Sequence, residues 1–240
     1  MVKHRSIYEN YIKRCLDVFF SLTVLLCLGW LLILIGILVY VNLGSPIIFR
    51  QPRPGKEEKI IYIYKFRSMT DECDENGNLL PDEKRLTKFG KWLRGTSLDE
   101  LPQFWCVLRG DMSLIGPRPQ LVRDMVFMSE MQRKRHVVRP GLSGLAQVSG
   151  RNSLQWELKL EKDLEYVNSV CFSMDVKIFI KTIKQVLFPR RGNTDGENNE
   201  VDIMDDYGVY LLKKGKITEE QFKEGLQFAE RLLSSEYGQS

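Results

Sequence analysis

Residues 18–41 of the chain read VFFSLTVLLCLGWLLILIGILVYV, a run of 24 residues without a charged side chain. A helix needs about 20 mostly apolar residues to cross the hydrocarbon core of a bilayer. The run is longer than the apolar core of a signal peptide and lacks the small residues at which such a peptide is cleaved. A core helix of a soluble protein usually keeps a polar face, which this run does not. The sequence therefore predicts a membrane-associated protein.

The charges on both sides of this run leave two paths through the membrane open. Basic residues favour the cytoplasmic side of a membrane. If both flanks obey this rule, the segment enters and leaves the same leaflet as a broken, re-entrant helix, with its bend expected near Gly29. If only one flank obeys it, the segment spans the bilayer. The flanking basic residues are Lys3, Arg5, Lys13 and Arg14 before the run and Arg50, Arg53 and Lys56 after it.

The composition of the 240 residues excludes several kinds of functional site. The formal net charge is +4, but residues 1–189 carry 28 Lys+Arg against 20 Asp+Glu and residues 190–240 carry 7 against 11, so the first part is basic and the tail acidic. Five cysteines without a C-x-x-C pair argue against a disulfide framework or a zinc site. Two histidines exclude a site built on several imidazoles, so any metal would be a hard cation held by carboxylates.

The pattern along the chain predicts an α+β fold that is mainly helical. We expect a membrane-associated helix in residues 1–44, a cytosolic domain in residues 45–189, and a linker with a small helical extension in residues 190–240. A β-hairpin is predicted from strands at 47–49 and 59–66. Thr218 and Gln221 form a capping-box signature for the last helix. The other helices are predicted at 87–94, 100–109, 120–136, 154–168 and 175–188.

Adjacent carboxylates lie in the segment SLDELPQ, residues 97–103. In a structural interpretation, Asp99 caps the following helix, or Ser97 and Glu100 form a capping box. In a functional interpretation, the positive end of the helix keeps one carboxylate ionised as a nucleophile while its neighbour holds Mg²⁺ that bridges a diphosphate. The residues alone leave both interpretations open.

Basic side chains in two segments could bind phosphate. The loop Gly110–Pro119 contains glycine and proline and presents Arg118, as a phosphate-binding loop would, although a rigid structural turn has the same composition. Lys65 and Arg67 end the predicted hairpin, where they could contact phosphate or water.

The apolar positions of residues 121–131 have helical spacing and precede the basic run 133–136. Such an amphipathic helix could lie on a lipid surface or pack its apolar face inward. The basic charge also raises nucleic acid as a partner. No pattern of a nucleic-acid-binding fold accompanies it, so we expect membrane lipid and no nucleic acid.

Taken together, these segments resemble the monotopic (small) phosphoglycosyl transferases, bacterial sugar transferases that start polyprenol-linked glycan assembly. SLDELPQ followed by GDMSLIGPRP is the most specific part of the resemblance. The matching segments are KRCLD at 13–17, SPIIFRQPRPGK at 45–56, IYKFRSM at 63–69, TKFGKWLRGTSLDELPQFWCVLRGDMSLIGPRP at 87–119 and RPGLSGLAQVSGR at 139–151.

The resemblance implies a reaction and roles for individual residues. Asp99 would attack the β-phosphate of a UDP-sugar, expel UMP and carry the phosphosugar until polyprenol (undecaprenyl) phosphate accepts it. Glu100 would bind Mg²⁺, and Arg94 and Arg118 would lie near phosphate or nucleotide. The resemblance also implies that residues 18–41 re-enter one leaflet and that interfacial amphipathic helices flank a catalytic domain on the cytoplasmic face of the bacterial inner membrane. Association of the chain into a homo-oligomer is left open.

Three departures from the family pattern stand out. Gly29-Trp30 occupies the place where family members commonly carry Ser-Pro, Cys106 replaces a common Asn, and the tail after Arg190 exceeds the usual end. An alternative from another class is an inactive membrane-anchored scaffold whose acidic tail recruits partners. Deletion of residues 189–240 is expected to spare the turnover of an enzyme and to remove the partners of a scaffold.

Overall fold

The structure of the protein is a computed structural model, and it describes residues 7–150, 155–188 and 206–237. The predicted predominance of helix is confirmed. The α-helices are α1 (Lys13–Leu43), α2 (Asp82–Arg85), α3 (Lys88–Gly95), α4 (Gln103–Arg109), α5 (Val122–Met125), α6 (Glu130–Arg133), α7 (Leu145–Gly150), α8 (Trp156–Asn168), α9 (Phe172–Leu187), α10 (Tyr207–Lys213) and α11 (Glu219–Tyr237). The strands are β1 (Ile48–Pro54), β2 (Ile60–Phe66), β3 (Ser113–Ile115) and β4 (Gly141–Ser143).

The chain divides into two compact units, each built from separate stretches of sequence. The long-helix unit consists of Leu16–Gln51 and Tyr62–Gly110. The C-terminal unit consists of the described parts of Met1–Cys15, Pro52–Ile61 and Asp111–Ser240. These interleaved units differ from the predicted division at residues 44 and 189, which stays a prediction.

Helix α1 contains the apolar run, and a π-helical turn (Tyr8–Ile12) leads into it. Together they form the only helix in the described part of the chain that is long and apolar enough to cross a membrane. Only 17% of its most apolar stretch is buried within the protein. The helix continues through Gly29 and Trp30 without interruption, and Trp30 is exposed. No proline forces a break there, so the re-entrant path stays a prediction.

The last turns of α1 form the core of the long-helix unit. Ile35 and Val39 are buried against Phe66, at the end of β2, and Leu93 of α3. Each fully buried side chain of this kind contributes about 1.5–3 kcal/mol. This core fixes the end of β2 and helix α3, the elements that carry the predicted cations Lys65 and Arg94.

The residues Thr87–Gly90 start helix α3 and let it pack closely against the chain that follows β2. The Thr87 hydroxyl accepts a hydrogen bond from the backbone N–H of Gly90 at 3.0 Å, which caps the helix. A Cβ at position 90 would lie 1.8 Å from the carbonyl oxygen of Ser68. Glycine is therefore the residue that lets α3 approach the chain just after β2. The predicted helix at 87–94 is confirmed, shifted by one residue, with Thr87 as its N-cap and Gly95 as its last residue.

The predicted hairpin is also confirmed, because β1 and β2 pair as a two-stranded sheet. Strand β1 is longer than predicted and includes Pro52 and Pro54. Proline lacks the backbone N–H, but in a sheet of two strands each strand has an unpaired edge where none is needed.

A second small sheet was not predicted. In the C-terminal unit β3 pairs in parallel with β4, with Ser113 opposite Gly141 and Ile115 opposite Ser143. A Cβ at Gly141 would lie 2.1 Å from the backbone nitrogen of Gly116. The glycines that suggested loops therefore serve a close approach of two backbone segments.

The predicted continuous helix at 120–136 is wrong. The segment forms the four-residue helices α5 and α6 and a 3₁₀ turn, Lys134–Val137. Ser129 starts α6, because its backbone N–H donates to Gln132 Oε1 at 2.8 Å and its hydroxyl accepts from the Gln132 N–H. Met125 and Met128 are buried in core clusters. Met125 and Met128 therefore mark core positions, whereas Met131 is exposed, and contact of this segment with lipid stays a prediction.

The described part of the C-terminal extension packs within the C-terminal unit. Tyr207 and Leu211 of α10 share a core cluster with Trp156 and Leu160 of α8. The predicted capping box of α11 is confirmed, since the Thr218 N–H donates to Gln221 Oε1 at 2.9 Å and the Gln221 N–H to Thr218 Oγ1 at 3.2 Å. The extension therefore contributes to the core of this unit.

Candidate active site

The adjacent carboxylates lie in a 3₁₀ turn, Leu98–Glu100, between α3 and α4. Ser97 precedes the turn in the left-handed region (φ 57°), and its side chain makes no capping hydrogen bond. Helix α4 begins only at Gln103, with Pro102 as its N-cap residue. Ser97 and Glu100 therefore form no capping box, and the N-cap position of α4 belongs to Pro102, not to Asp99. Asp99 is 6% exposed.

A lysine from the end of the hairpin reaches this turn. Lys65 Nζ donates to Glu100 Oε1 at 2.8 Å, and both side chains are partly buried. An exposed ion pair contributes at most about 1 kcal/mol to stability, so the pair matters chiefly because it places a cation next to the carboxylates. The long-helix unit thus brings Lys65, Asp99 and Glu100 to one turn.

Arg94 extends from the last turn of α3 and is exposed. Its Nε donates to Ser68 Oγ at 2.8 Å. Ser68 follows the end of β2, so the docking of Gly90 on this segment also orients Arg94. Sequence reasoning did not single out Ser68.

Arg67 is buried and bound to the end of α1. Its guanidinium donates to the carbonyl oxygens of Leu43 and Ser45, the latter at 3.0 Å, and to Asp71 Oδ2 at 2.6 Å. These contacts indicate a structural role in closing the turn after α1. The predicted contact of Arg67 with phosphate stays a prediction.

Arg118 belongs to the C-terminal unit and is partly buried. Its carbonyl oxygen accepts a hydrogen bond from Arg135 Nη2 at 2.7 Å, and the carbonyl oxygen of Pro119 accepts one from Arg53 Nη1 at 3.2 Å. Burial, aided by the charge of Arg118, lowers the pKa of Arg53 to about 10. Burial likewise lowers the pKa of Lys159, with Arg118 and Arg135 contributing. The loop therefore lies among several cations, whose effects on these pKa values are opposed in part by Asp124, Asp163 and Asp206.

The site residues could hold the predicted Mg²⁺ only together with a substrate phosphate. In the described ranges, no three His, Cys, Asp or Glu side chains form a metal-binding group. Mg²⁺ is commonly held by one or two carboxylates, with substrate phosphates and water completing its shell. The Asp99–Glu100 turn suits this arrangement, in which Glu100 and a diphosphate would share the ion.

Sequence reasoning missed the buried charges behind the Arg118 loop. Asp163 is buried in α8 and binds Arg135, which is also buried. A signal was present, because Asp163 follows Trp156 and Leu160 at helical spacing on the buried face of α8. A carboxylate in such a stripe indicates a buried partner.

The chain belongs to the bacterial sugar transferase family, which it matches over residues 8–189. The predicted assignment to this family and to sugar-phosphate transferase enzymes is confirmed.

Relatives with known names extend the comparison. The chain is 46% identical over 176 residues to the uncharacterized sugar transferase EpsL of Bacillus subtilis, covering 73% of this chain and 87% of that protein. It is 40% identical over 181 residues to the UDP-glucose:undecaprenyl-phosphate glucose-1-phosphate transferase of Klebsiella pneumoniae, covering 71% and 39%. It is 36% identical over 188 residues to the UDP-N-acetylgalactosamine-undecaprenyl-phosphate N-acetylgalactosaminephosphotransferase of Aeromonas hydrophila, covering 74% and 44%. The chain thus spans less than half the length of the last two proteins.

Proposed function

We propose that the protein transfers a sugar 1-phosphate from a UDP-sugar to polyprenol (undecaprenyl) phosphate and releases UMP. The observation that carries this proposal is the turn that holds Asp99 and Glu100 next to each other and in contact with Lys65. The names of the relatives agree, since two of them act on a UDP-sugar and undecaprenyl phosphate.

The first step is attack by Asp99 on the donor. A carboxylate oxygen of Asp99 bonds to the β-phosphorus, and the bond from that phosphorus to the bridging oxygen breaks. UMP leaves with the electron pair, and the phosphosugar stays on Asp99. Phosphoryl transfer depends mainly on positioning and on neutralising charge, and Lys65 and Arg94 provide cations on the same unit. The buried position of Asp99 means that little water has to be displaced from it.

The second step returns the enzyme to its starting state. An oxygen of polyprenol phosphate attacks the same phosphorus, the bond to Asp99 breaks, and polyprenyl-diphospho-sugar is formed. Glu100 is the residue that would hold Mg²⁺, which would supply charge neutralisation for the diphosphate in both steps. Lys65, which binds Glu100 in the structure, places a further cation at the same carboxylate.

We place the active site on the cytoplasmic face of the inner membrane, with α1 entering and leaving one leaflet. Two contacts support this topology. At the start of α1, Lys13 Nζ lies 2.5 Å from Asp175 Oδ2 of α9, and near its end Val39 is buried with Leu93 of α3. Helices α3 and α9 both follow α1, and the described residues between them contain no further helix able to cross a membrane. We therefore propose that both ends of α1 lie on the same side of the membrane.

Helix α9 is the interfacial helix that we propose in place of residues 121–131. It begins beside the membrane segment, because the Tyr8 hydroxyl donates to Asp175 at 2.6 Å and the Tyr8 ring packs edge-on against Phe172. One face of α9 is apolar and exposed, and lysines lie beside it, which suits anionic headgroups. The exposed apolar residues are Phe172, Val176, Phe179, Ile180, Ile183, Val186 and Leu187.

The protein's own cysteines test this topology. Cys15 lies near the start of α1 and Cys73 lies beyond its end, and both are exposed. Variants that keep only one of them, besides the buried Cys106, are treated with a membrane-impermeant maleimide in spheroplasts and in inverted vesicles. We expect both cysteines to react only in inverted vesicles. Reaction of Cys15 in spheroplasts would show that α1 spans the membrane and would overturn the re-entrant path.

Release of UMP tests the reaction itself. The purified protein in nanodiscs is given Mg²⁺ and one of several UDP-sugars, with and without undecaprenyl phosphate. We expect one donor to give about one equivalent of UMP without acceptor, because the sugar phosphate stays on Asp99, and continuous release with acceptor. Chelation of Mg²⁺ should abolish both. Absence of UMP with every donor would favour the inactive scaffold, and release that strictly requires acceptor would exclude the two-step reaction.

A further inference from the structure

A buried ion pair lies directly behind the loop that carries Arg118. Arg135, in the 3₁₀ turn after α6, and Asp163, in α8, are each 1% exposed. Arg135 Nε and Nη2 donate to Asp163 Oδ2 at 3.0 and 2.6 Å. The same Nη2 also donates to the carbonyl oxygen of Arg118 at 2.7 Å. The guanidinium thus joins a carboxylate on one helix to the backbone of the loop.

Stability alone does not account for this pair. Burial raises the pKa of Asp163, which shows the cost of removing its charge from water, and Arg135 opposes that shift. Replacing a buried ion pair with apolar residues is often neutral or stabilising. A guanidinium has donors in a fixed plane and can serve two acceptors at once. The contact that an apolar pair could not supply is the one to the Arg118 carbonyl.

The rest of the loop is held in the same way. The carbonyl oxygen of Pro117 accepts from the N–H of Gly141 at 2.9 Å, and that of Pro119 accepts from Arg53 at 3.2 Å. Three consecutive carbonyl groups, from residue 117 to residue 119, are therefore fixed by donors from three other segments. The backbone of Arg118 cannot shift without breaking at least one of these bonds.

The titratable neighbours of Arg135 do not take over its contact with the Arg118 backbone. His136 Nε2 lies 3.5 Å from Arg135 Nη1, and His136 Nδ1 lies 3.5 Å from Glu58 Oε1. Burial, followed by the charge of Arg135, lowers the pKa of His136 to about 4, so this histidine is neutral near pH 7. Arg133 forms its own pair with Glu58. Arg135 is thus the cation next to the Arg118 backbone in this cluster.

We infer that Arg135, held in place by Asp163, is a positioning residue that fixes Arg118 for binding of the nucleotide diphosphate. The inference rests on the proposed function and on the role that the resemblance implies for Arg118, and it specifies how that arginine is held. Arg135 touches no substrate in this scheme. It acts through the backbone of the loop, where displacement by about 1 Å can cost about 10²-fold in rate.

The test is Arg135→Lys, with Arg133→Lys, at the end of the preceding helix α6, as the matched control. Lysine keeps the charge and can pair with Asp163, but its single ammonium group lacks the planar fork that serves both acceptors. We expect the KM for the UDP-sugar to rise roughly tenfold to 10²-fold, with a smaller change in kcat and an unfolding midpoint close to that of the parent. Arg133→Lys should leave KM within about twofold. An unchanged KM in Arg135→Lys would overturn the inference.

A double-mutant cycle separates positioning from a general structural defect. Once Arg118→Lys has removed the positioned guanidinium, adding Arg135→Lys should raise KM little further. Full additivity of the two effects would overturn the inference. If Arg135→Lys does not fold, Asp163→Asn is used in the same cycle, since its amide oxygen still accepts from Arg135.

Binding of UDP, measured by calorimetry, tests the positioning role of Arg135 separately from the proposed transferase function. If the parent protein binds UDP and Arg135→Lys weakens that binding, the positioning role stands even when no UDP-sugar is turned over. If the parent protein turns over a UDP-sugar and UDP binding is the same in the variant, the positioning role fails while the proposed function survives.

Discussion

Asp99→Asn is expected to abolish transfer, with a fall in turnover on the order of 10⁴-fold or more. The amide has nearly the shape of the carboxylate, and because Asp99 is 6% exposed an isosteric change is the one that its packing tolerates. An amide is not a nucleophile at phosphorus, so both the first equivalent of UMP and continuous release should disappear. Release is measured with and without undecaprenyl phosphate, and the unfolding midpoint should stay close to that of the parent.

Mass spectrometry of the acid-quenched enzyme locates the intermediate. After incubation with the donor alone, the peptide that contains Asp99 should gain the mass of a sugar phosphate, and Asp99→Asn should not. Asp82→Asn is a matched control, because Asp82 is exposed and forms a weak pair with Arg85 at 3.5 Å. Continued turnover in Asp99→Asn, or a mass gain on another peptide, would remove the nucleophile from Asp99.

The sequence predicted an element best where a local signal, such as a helix cap or a strand pattern, agrees with what the tertiary structure needs at that position. Thr87–Gly90 reads as a helix start, and the structure adds that Gly90 also permits close docking on Ser68. The hairpin was predictable because its strands are rich in β-branched and aromatic residues with a turn between them. The position of Asp99 and Glu100 in one turn follows from their adjacency, whereas the contact of Glu100 with Lys65 depends on long-range packing that no spacing reveals.

The misses share a physical cause, which is tertiary packing that overrides local pattern. The methionines of residues 120–136 recur at helical spacing, yet Ser129 and Gln132 start a new helix inside the segment. Gly116, just after β3, and Gly141, in β4, look like loop residues because the close approach they permit is with a distant part of the chain. Arg135 looks like part of a solvated basic run until Asp163, 28 positions away, is brought beside it.

The C-terminal extension is where the structure most changes an expected result. The sequence suggested an appendage whose loss would spare turnover. In the structure Tyr207 and Leu211 are buried with Trp156 and Leu160, and Ala229 of α11 is buried with Val122 and Met125. The extension also reaches the segment just after the Arg118 loop, since Asp124 accepts from the backbone N–H groups of Leu121 at 3.1 Å and Tyr207 at 2.8 Å.

Deletion of residues 206–240 is therefore expected to destabilise the C-terminal unit severely. Removing α10 and α11 exposes at least two large apolar side chains of α8 and takes away the Tyr207 N–H, one of the two backbone donors to the buried Asp124. Each uncovered large side chain costs about 1.5–3 kcal/mol, so the total loss is on the order of 5 kcal/mol, comparable with the whole stability of a typical domain. We expect a large fall in the unfolding midpoint and loss of UMP release at 37 °C.

Point variants make the same test without truncation. Leu211→Ala opens a cavity in the cluster around Trp156 and should cost about 2–5 kcal/mol. Lys213→Ala, on the exposed side of the same helix, should change stability by less than about 0.5 kcal/mol. Denaturant unfolding in nanodiscs measures both. A truncated protein with the unfolding midpoint and turnover of the parent would show that α10 and α11 are dispensable, as the sequence suggested, because the transferase core would then be complete without the cluster around Tyr207.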